Sequence, residues 1–265
     1  RREDIVAGSL IITIGLLGSL SNGLLLFALS RSFKAHSFPS AFSLLCSSRC
    51  FSNICTLCPF IIYAAPVCFL GAPYGPEILG LKFGHLTTLT YKSVVYCQLA
   101  IAFNRFVATF FTFSYDRICG KKGTIIMIVL VWICALIHAI PEFLPGCGYT
   151  FSYENLSWGN IRNACGEILS GPALFIPSFT VTGICFGLNF LILFRLTSQT
   201  IRGAALGKAS KERHKRNVRN FIQSFLQELV YMFELVFLRF FTPSSRWTSL
   251  LAFTLLWECT HTWDG

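Results

Sequence analysis

Charged residues are scarce in this sequence. They make up 13% of its 265 residues, while 54% are hydrophobic, whereas soluble domains carry about 25% charge. So few charges cannot cover the outside of a water-soluble domain of this size, which favours a membrane protein. The sequence also lacks internal repeats, low-complexity segments and a basic segment that leads into a short apolar run with a small-residue cleavage site. We therefore expect no cleavable signal peptide.

Hydrophobic residues, by contrast, form seven runs near or above the length of about 20 residues that a membrane-spanning helix needs. The runs show no alternation of period two, so helices are favoured over the strands of a barrel. The sequence predicts an all-α, seven-transmembrane helix bundle that forms one domain, 1–265. The last run ends without a basic tail, so we expect the seventh helix to be truncated. The predicted spans are 5–29, 39–69, 83–113, 124–144, 168–194, 218–241 and 247–265.

Basic residues account for the formal net charge of +10, and they cluster between the apolar runs. That distribution favours membrane topology over nucleic-acid binding. Two, three and eight Lys or Arg residues follow the first, third and fifth runs, against three on the other connectors. The positive-inside rule therefore predicts an N-terminus outside the cell. Asn155 begins a glycosylation sequon, Asn-Leu-Ser, in a connector assigned to the outside.

Twelve cysteines are present, and most lie within the apolar runs, where cysteine behaves as a small hydrophobe. Cys55 and Cys58 match C-x-x-C, but no second pair accompanies them, so we expect neither a metal nor a redox site. Cys147 and Cys165 lie in the connector after the fourth run, where oxidation is possible. A disulfide between them is predicted, and Cys68 is the competing partner.

Several motifs resemble those of known receptors. "GSLSNG" with Asn22 in the first run, "NRF" at 104–106 and Trp132 in the fourth run resemble the rhodopsin-like G-protein-coupled receptors. The stretches "AIAFNRFVATFFTFSYDRI", "PEFLPGC", "FIQSFLQELVYMFEL" and "LLWECTHTWDG" are similar to the nematode serpentine receptor class x (Srx) chemoreceptors. This similarity runs over nearly the whole chain.

The resemblance implies a chemosensory receptor, not an enzyme, in the plasma membrane of a sensory neuron with its N-terminus outside. Such a receptor binds a small external ligand and activates a heterotrimeric G protein through a conformational switch. Its implied partners are that G protein, a small-molecule or peptide cue, and membrane lipids. No nucleic acid, metal or other cofactor is implied.

The sequence departs from the rhodopsin-like pattern at several positions. Asn104 stands where an acid usually precedes Arg105, and Asn53 is the nearest polar candidate for the missing aspartate of the second span. No cysteine lies near Gly80, so the usual bridge from the third helix to the outer loop cannot form. The CWxP proline is absent from the sixth span, and NPxxY is missing or beyond residue 265.

Arg105 lies in the phenylalanine-rich stretch 101–117 and has two interpretations. It is either a snorkelling cation at the inner edge of the membrane or a switch that meets the G protein when the sixth helix swings outward. By resemblance, the residues assigned to coupling and switching are Asn104, Arg105 and Tyr115. Because Asn104 brings no charge, we expect something other than a local ion pair to hold the inactive state.

Ionisable side chains inside the predicted spans are costly and indicate pairing or function. Glu258, His261 and Asp264 share roughly one helix face. They fit a metal site completed by Glu228 or, as we prefer, a polar network that packs the seventh helix. The residues predicted to form this network are Asn22, Arg49, Asn53, Glu228, Glu258, His261 and Asp264.

An outward-facing apolar pocket with few polar groups is expected to bind the ligand. Each candidate side chain could equally serve packing. Lys92 has a similar depth and is a weaker candidate for attracting an acidic odorant. The candidate ligand-binding residues are Thr87, Thr90, Tyr91, Phe175, Phe179, Tyr231, Glu234 and Trp257.

Two other classes of function remain open from the sequence. A secondary transporter or channel subunit would explain the paired prolines of the second and fifth spans, although the sequence lacks the internal repeats typical of transporters. A multi-pass membrane enzyme would use His138 or His261, but no nucleophile or acid stands at a recognisable spacing from either residue.

Overall fold

Helices form most of the chain in the computed structural model, which describes residues 2–35, 40–161, 163–169, 174–202 and 208–263. The α-helices are α1 (Arg2–Ala35), α2 (Ala41–Pro59), α3 (Ala65–Leu70), α4 (Glu77–Phe110), α5 (Tyr115–Cys119), α6 (Lys121–Ala139), α7 (Ala164–Ile168), α8 (Leu174–Arg202), α9 (Lys208–Phe240), α10 (Arg246–Ser249) and α11 (Leu256–Trp263). Short 3-10 segments cover Thr112–Ser114 and Ile140–Phe143, π-helical segments cover Phe60–Ala64 and Leu250–Leu255, and the strands are β1 (Tyr149–Ser152) and β2 (Ser157–Asn160).

The long helical segments are numbered here from first to seventh. They are α1, α2 with α3, α4, α6, α8, α9, and α10 with α11. Within the described residues, five segments are long and apolar enough to cross a membrane, namely Arg2–Arg31, Ala41–Leu70, Ile78–Phe110, Lys121–Phe143 and Phe175–Ser198. Large apolar side chains of the first and fourth helices point outward, as expected where lipid is the solvent.

The helix bounds differ from those of the predicted spans, and the third and sixth helices are two examples. The third helix, α4, begins at Glu77 rather than at residue 83 and ends at Phe110 rather than at 113, after which a 3-10 turn follows. The sixth helix, α9, begins at Lys208, inside the basic run expected to connect two spans. Lys and Arg are good helix formers in water, so the helix continues beyond its apolar part.

A proline changes the course of the second helix. Pro59 lacks a backbone N–H, and its ring clashes with the preceding turn. The chain adjusts by forming the π-helical segment Phe60–Ala64, a common response to a disturbed hydrogen-bond ladder. The helix then ends at Gly71, whose φ of 75° places it in the left-handed region that glycine tolerates.

The third helix occupies the centre of the bundle, where it packs against the second, fourth and fifth helices. The largest cluster of buried hydrophobic residues includes aromatic rings from several elements. The ring centroid of Trp257 lies 5.3 Å from Phe60 and 5.4 Å from Tyr91. Such aromatic contacts fix the seventh helix against the second and third.

An antiparallel hairpin of β1 and β2 follows the fourth helix, and Phe151 pairs with Trp158 in its register. Both side chains are buried, because residues directly opposite each other on paired strands lie on the same face. The hairpin touches the third helix at Gly84, where a Cβ atom would overlap the carbonyl of Tyr149. Glycine therefore permits this close approach.

Two hydrogen-bonded contacts tie the hairpin to the seventh helix. Arg246 donates to the carboxylate of Asp4 and to the carbonyl of Tyr153, both at 3.0 Å. The hydroxyl of Thr254 donates to the carbonyl of Leu156 at 2.8 Å. The hairpin is thus held across this end of the bundle by the first, third and seventh helices.

Candidate functional site

A cavity of about 220 Å³ lies between the hairpin and the third, fifth, sixth and seventh helices. Half of its lining residues are aromatic, which gives it a largely apolar wall with a few polar groups, as is common for ligand sites. The lining residues are Thr88, Tyr91, Tyr149, Trp158, Gly159, Asn160, Phe175, Glu234, Leu235, Arg239, Phe253 and Trp257.

The aromatic rings of the cavity meet at defined angles. Trp257 stands nearly perpendicular to Tyr91 and to Tyr149, at 85° in both cases, with centroid separations of 5.4 and 5.9 Å. Tyr149 stacks on Trp158 at 6.0 Å with an interplanar angle of 5°. The wall therefore presents ring faces and edges in two directions.

Two charged residues of the sixth helix line the same cavity. Glu234 is only 1% exposed, whereas Arg239 is exposed and its guanidinium lies over the ring of Phe240. Burial raises the pKa of the Tyr149 hydroxyl far above its usual range, and the carboxylates of Glu142 and Glu234 act in the same direction. Tyr149 therefore keeps its proton at any physiological pH.

Of the predicted ligand-binding residues, Tyr91, Phe175, Glu234 and Trp257 line the cavity. The other four lie elsewhere in the described bundle. Thr87 donates to the carbonyl of Phe83, and Thr90 accepts a hydrogen bond from Thr56. Phe179 is exposed and stacks on Phe175, while Tyr231 is buried near His261.

Lys92 of the third helix forms a buried ion pair. Its ammonium group lies 2.5 Å from a carboxylate oxygen of Glu142 and donates to the carbonyl of His138. Both charged residues are almost completely buried, with exposures of 1% and 2%. That Lys92 attracts an acidic odorant stays a prediction, and its charge is paired in this structure with Glu142 of the 3-10 segment Ile140–Phe143. His85 adds a further link by its contact with the Glu142 carbonyl.

Three residues of the expected polar network meet in the interior. Asn53 of the second helix donates to the side-chain oxygen of Asn22 at 3.0 Å and accepts from His261 at 2.8 Å. Asn22 in turn donates to the main-chain carbonyl of His261 at 3.0 Å. These bonds join the first, second and seventh helices, and all three residues are fully buried.

The remaining members of that set lie at other positions of the bundle. Arg49 is half-buried one helical turn before Asn53, and Glu228 is buried in the sixth helix. Glu258 is fully buried beside Gly15 of the first helix, and Asp264 lies outside the described residues. Among those that are described, no three His, Cys, Asp or Glu side chains are grouped so as to hold a metal ion.

Arg105 lies near the end of the third helix that is opposite to the cavity. Its guanidinium carbon is 5.1 Å from the ring centroid of Phe42 in the second helix and 5.4 Å from that of Phe221 in the sixth. A guanidinium at such distances from aromatic faces is attracted by about 0.5–2 kcal/mol per ring. We call Arg105, Phe42 and Phe221 the aromatic clamp.

Asn104, the neighbour of Arg105, is buried and is held by another contact. The hydroxyl of Tyr115 in α5 donates to the side-chain oxygen of Asn104 at 3.1 Å. Burial raises the pKa of Tyr115, with Cys119 adding to that effect, so the hydroxyl remains a donor. Of the three residues expected to act in coupling, two are therefore hydrogen-bonded to each other, while Arg105 binds aromatic rings.

Cys147 and Cys165 form a disulfide that joins the start of the hairpin to α7. Cys68, the competing partner, is a buried free cysteine. Asn155 lies in the turn between β1 and β2, where its backbone and side-chain nitrogens contact the hydroxyl of Ser152. The disulfide and the sequon thus lie at the end of the bundle that carries the cavity.

Several residues of these sites were not predicted from the sequence. Glu142 belongs to the quoted stretch "PEFLPGC", but nothing in that stretch identifies Lys92 as its partner. Tyr149 and Trp158 lie in a connector, and their role depends on a hairpin that was not predicted. Phe42 and Phe221 belong to apolar runs in which phenylalanine is common, so no local signal distinguishes them.

The described fold is similar to that of a solved receptor. Superposition on the crystal structure of squid rhodopsin gives a TM-score of 0.75, covers 99% of this chain and 80% of that one, and aligns residues with 14% identity. The fold is therefore a rhodopsin-like seven-transmembrane helix bundle.

Sequence comparison places the chain more narrowly. The family described as "Serpentine type 7TM GPCR chemoreceptor Srx" matches residues 12–265, and the chain belongs to that family. "Serpentine receptor class X 45" of Caenorhabditis elegans is 26% identical over 227 residues, which cover 77% of this chain and 62% of that protein.

Two vertebrate receptors are also similar. "Melanopsin-B" of Xenopus laevis is 29% identical over 208 residues, covering 74% of this chain and 37% of that protein. "Melatonin receptor type 1B-A" of Danio rerio is 27% identical over 146 residues, covering 54% and 48%. The chain thus spans less than two thirds of the length of each of these three relatives.

Proposed function

We propose that this chain is a chemosensory receptor that binds a small external ligand in the cavity and activates a heterotrimeric G protein through Arg105. The observation that carries the proposal is the placement of two sites on one helix. Tyr91 lines the cavity and Arg105 forms the aromatic clamp, and both belong to α4. Fourteen residues of helix separate them by about 21 Å. A movement of α4 or of its neighbours therefore changes both the cavity and the aromatic clamp.

The proposed orientation has the N-terminus and the cavity outside the plasma membrane. The disulfide supports it, because such bonds persist in oxidising compartments. The sequon at Asn155 lies on the same side, and most of the basic residues between helices lie on the opposite side, as in cytoplasmic connectors.

The aromatic clamp supplies the proposed switch. Receptors of this class with an acid before the arginine hold their inactive state by an ion pair, and Asn104 provides no charge for one. Instead, Phe42 and Phe221 hold the guanidinium from the second and sixth helices. Outward movement of the sixth helix removes Phe221 from Arg105 and makes the cation available to the G protein.

Basal G-protein activation tests this function without knowledge of the ligand. Phe221→Leu removes one ring and is expected to raise basal activation several-fold, because about 1 kcal/mol of cation–π attraction corresponds to a roughly fivefold shift between two states. Adding Arg105→Ala to this variant should abolish the increase. The measurement is nucleotide exchange on a panel of Gα subunits, normalised to receptor at the cell surface.

A matched control is available in the fifth helix. The guanidinium of Arg195 lies 4.7 Å from the ring centroid of Phe110, so Arg195→Ala also removes a cation–π pair near the same end of the bundle. It should leave the effect of Phe221→Leu intact. If none of the variants that reach the surface activates any Gα, or if Arg105→Ala and Arg195→Ala behave alike, the proposed coupling role is refuted.

A further inference from the structure

We infer that the cavity recognises a small organic cation, such as a quaternary or protonated amine, by its aromatic wall and Glu234. This inference rests on the proposed function only in taking the cavity as the ligand site. It adds the chemical class of the ligand, which neither the fold nor the family assigns.

The aromatic wall is the first reason. Six aromatic side chains line a space of about 220 Å³. This space is too small for a drug-sized molecule but sufficient for a compact organic cation. The ring faces of Trp and Tyr carry negative electrostatic potential and attract organic cations within about 6 Å. Because Trp257 is perpendicular to Tyr91 and Tyr149, a ligand in the cavity meets aromatic surface from more than one direction.

The position of Glu234 is the second reason. This side chain lines the same cavity as Tyr149 and is almost completely buried. Opposite charges attract more strongly where water is excluded. A cation that leaves water for this cavity is therefore compensated both by the rings and by a carboxylate.

The basic residues near the cavity favour an anion less strongly than Glu234 and the aromatic rings favour a cation. Arg239 lines the cavity five residues after Glu234, about 7.5 Å further along the helix axis. Its side chain is exposed and its guanidinium lies over Phe240, so solvent screens the charge. Lys92, the nearest buried cation of the third helix, is compensated by Glu142.

The test uses three probes of one shape and different charge. They are choline, its uncharged isostere 3,3-dimethylbutan-1-ol, and the anion 3,3-dimethylbutanoate. The purified full chain in lipid nanodiscs is heated with increasing concentrations of each probe, since a ligand that binds the folded state raises the unfolding midpoint. We expect choline to raise the midpoint in a saturable manner, with an apparent Kd at least about tenfold below that of the neutral isostere.

Variants assign the effect to the cavity. Glu234→Gln keeps the shape of the side chain and should weaken choline binding about tenfold, whereas Arg239→Gln should not weaken it. Phe175→Leu preserves apolar volume but removes one ring, so a smaller loss of affinity is expected. This second variant keeps the inference testable if Glu234→Gln does not fold, as judged by circular dichroism.

Other outcomes overturn the inference. Equal stabilisation by choline and its neutral isostere indicates an apolar site without charge recognition. Preference for the butanoate, lost in Arg239→Gln, indicates an anion site. The assay contains no G protein, so its failure leaves the result for Arg105 and Phe221 unaffected, and a failure of coupling leaves the binding result unaffected.

Discussion

Two cations of one helix are stabilised in different ways in this protein. Lys92 of the third helix is compensated by the carboxylate of Glu142, whereas Arg105 lies between the rings of Phe42 and Phe221. The compact ammonium suits a single carboxylate, while the flat and weakly hydrated guanidinium stacks well on aromatic faces. The first arrangement fixes a helix contact, and the second can be released by moving one helix.

Removal of one member of the buried ion pair should be costly. Lys92→Met leaves the Glu142 carboxylate buried without its partner, so we expect a loss of about 3–5 kcal/mol in the free energy of unfolding. Lys92→Met combined with Glu142→Gln removes both charges and should restore most of the loss. Unfolding midpoints of the purified variants measure both effects. A double variant as unstable as Lys92→Met would show that the charge pairing does not explain the cost.

At the scale of elements, the hairpin organises the end of the bundle that carries the cavity. It supplies Tyr149 and Trp158 to the cavity and is joined to the helices by the disulfide, by Arg246 and by Thr254. Its position depends on a close approach to the third helix at Gly84. The shape of the cavity is therefore decided by contacts between elements distant in the chain.

Glycine substitutions in two helices should have opposite effects. Gly84→Ala places a methyl group against the Tyr149 carbonyl, so we expect a loss of about 1–3 kcal/mol from overpacking. At Gly183 in the fifth helix, no atom lies near an added Cβ. Gly183→Ala should therefore stabilise the helix by about 0.5–1 kcal/mol. Unfolding midpoints in nanodiscs measure both changes, and equal effects would contradict the proposed close packing.

At the scale of the whole molecule, the disulfide and the sequon are separated from most of the basic residues. The end with the cavity carries the Cys147–Cys165 bond and Asn155, while the basic residues of the sequence concentrate after the first, third and fifth apolar runs. This asymmetry underlies the proposed orientation, since oxidation and glycosylation take place on the outer side and cytoplasmic connectors attract basic residues.

Glycosylation provides a direct measurement of that orientation. A glycosidase should increase the electrophoretic mobility of the receptor expressed in animal cells, and both Asn155→Gln and Ser157→Ala should abolish this change because each destroys the sequon. Asn160→Gln, in the same hairpin but outside any sequon, should leave the change intact. An unmodified receptor at the cell surface whose hairpin proves accessible only from the cytoplasm would refute the proposed topology.

Several residues show how far prediction from the sequence extends. Tyr91, Phe175, Glu234 and Trp257 were placed near the ligand by depth alone, and they line the cavity. Thr87 and Thr90 have a similar depth but bond within the helical bundle. The depth of a residue in the membrane follows from its position along a span. Whether its side chain points into the cavity depends on how its helix is rotated against the neighbouring helices.

The sequence by itself determined that this chain is a bundle of apolar helices with an asymmetric distribution of basic charge. Those properties depend on local composition, and the membrane acts on each segment separately. Only the tertiary structure decided that Lys92 meets Glu142, that Phe42 and Phe221 hold Arg105, and that a hairpin completes the cavity. Such pairs form when rotated and tilted helices pack together, and their members are distant in the sequence.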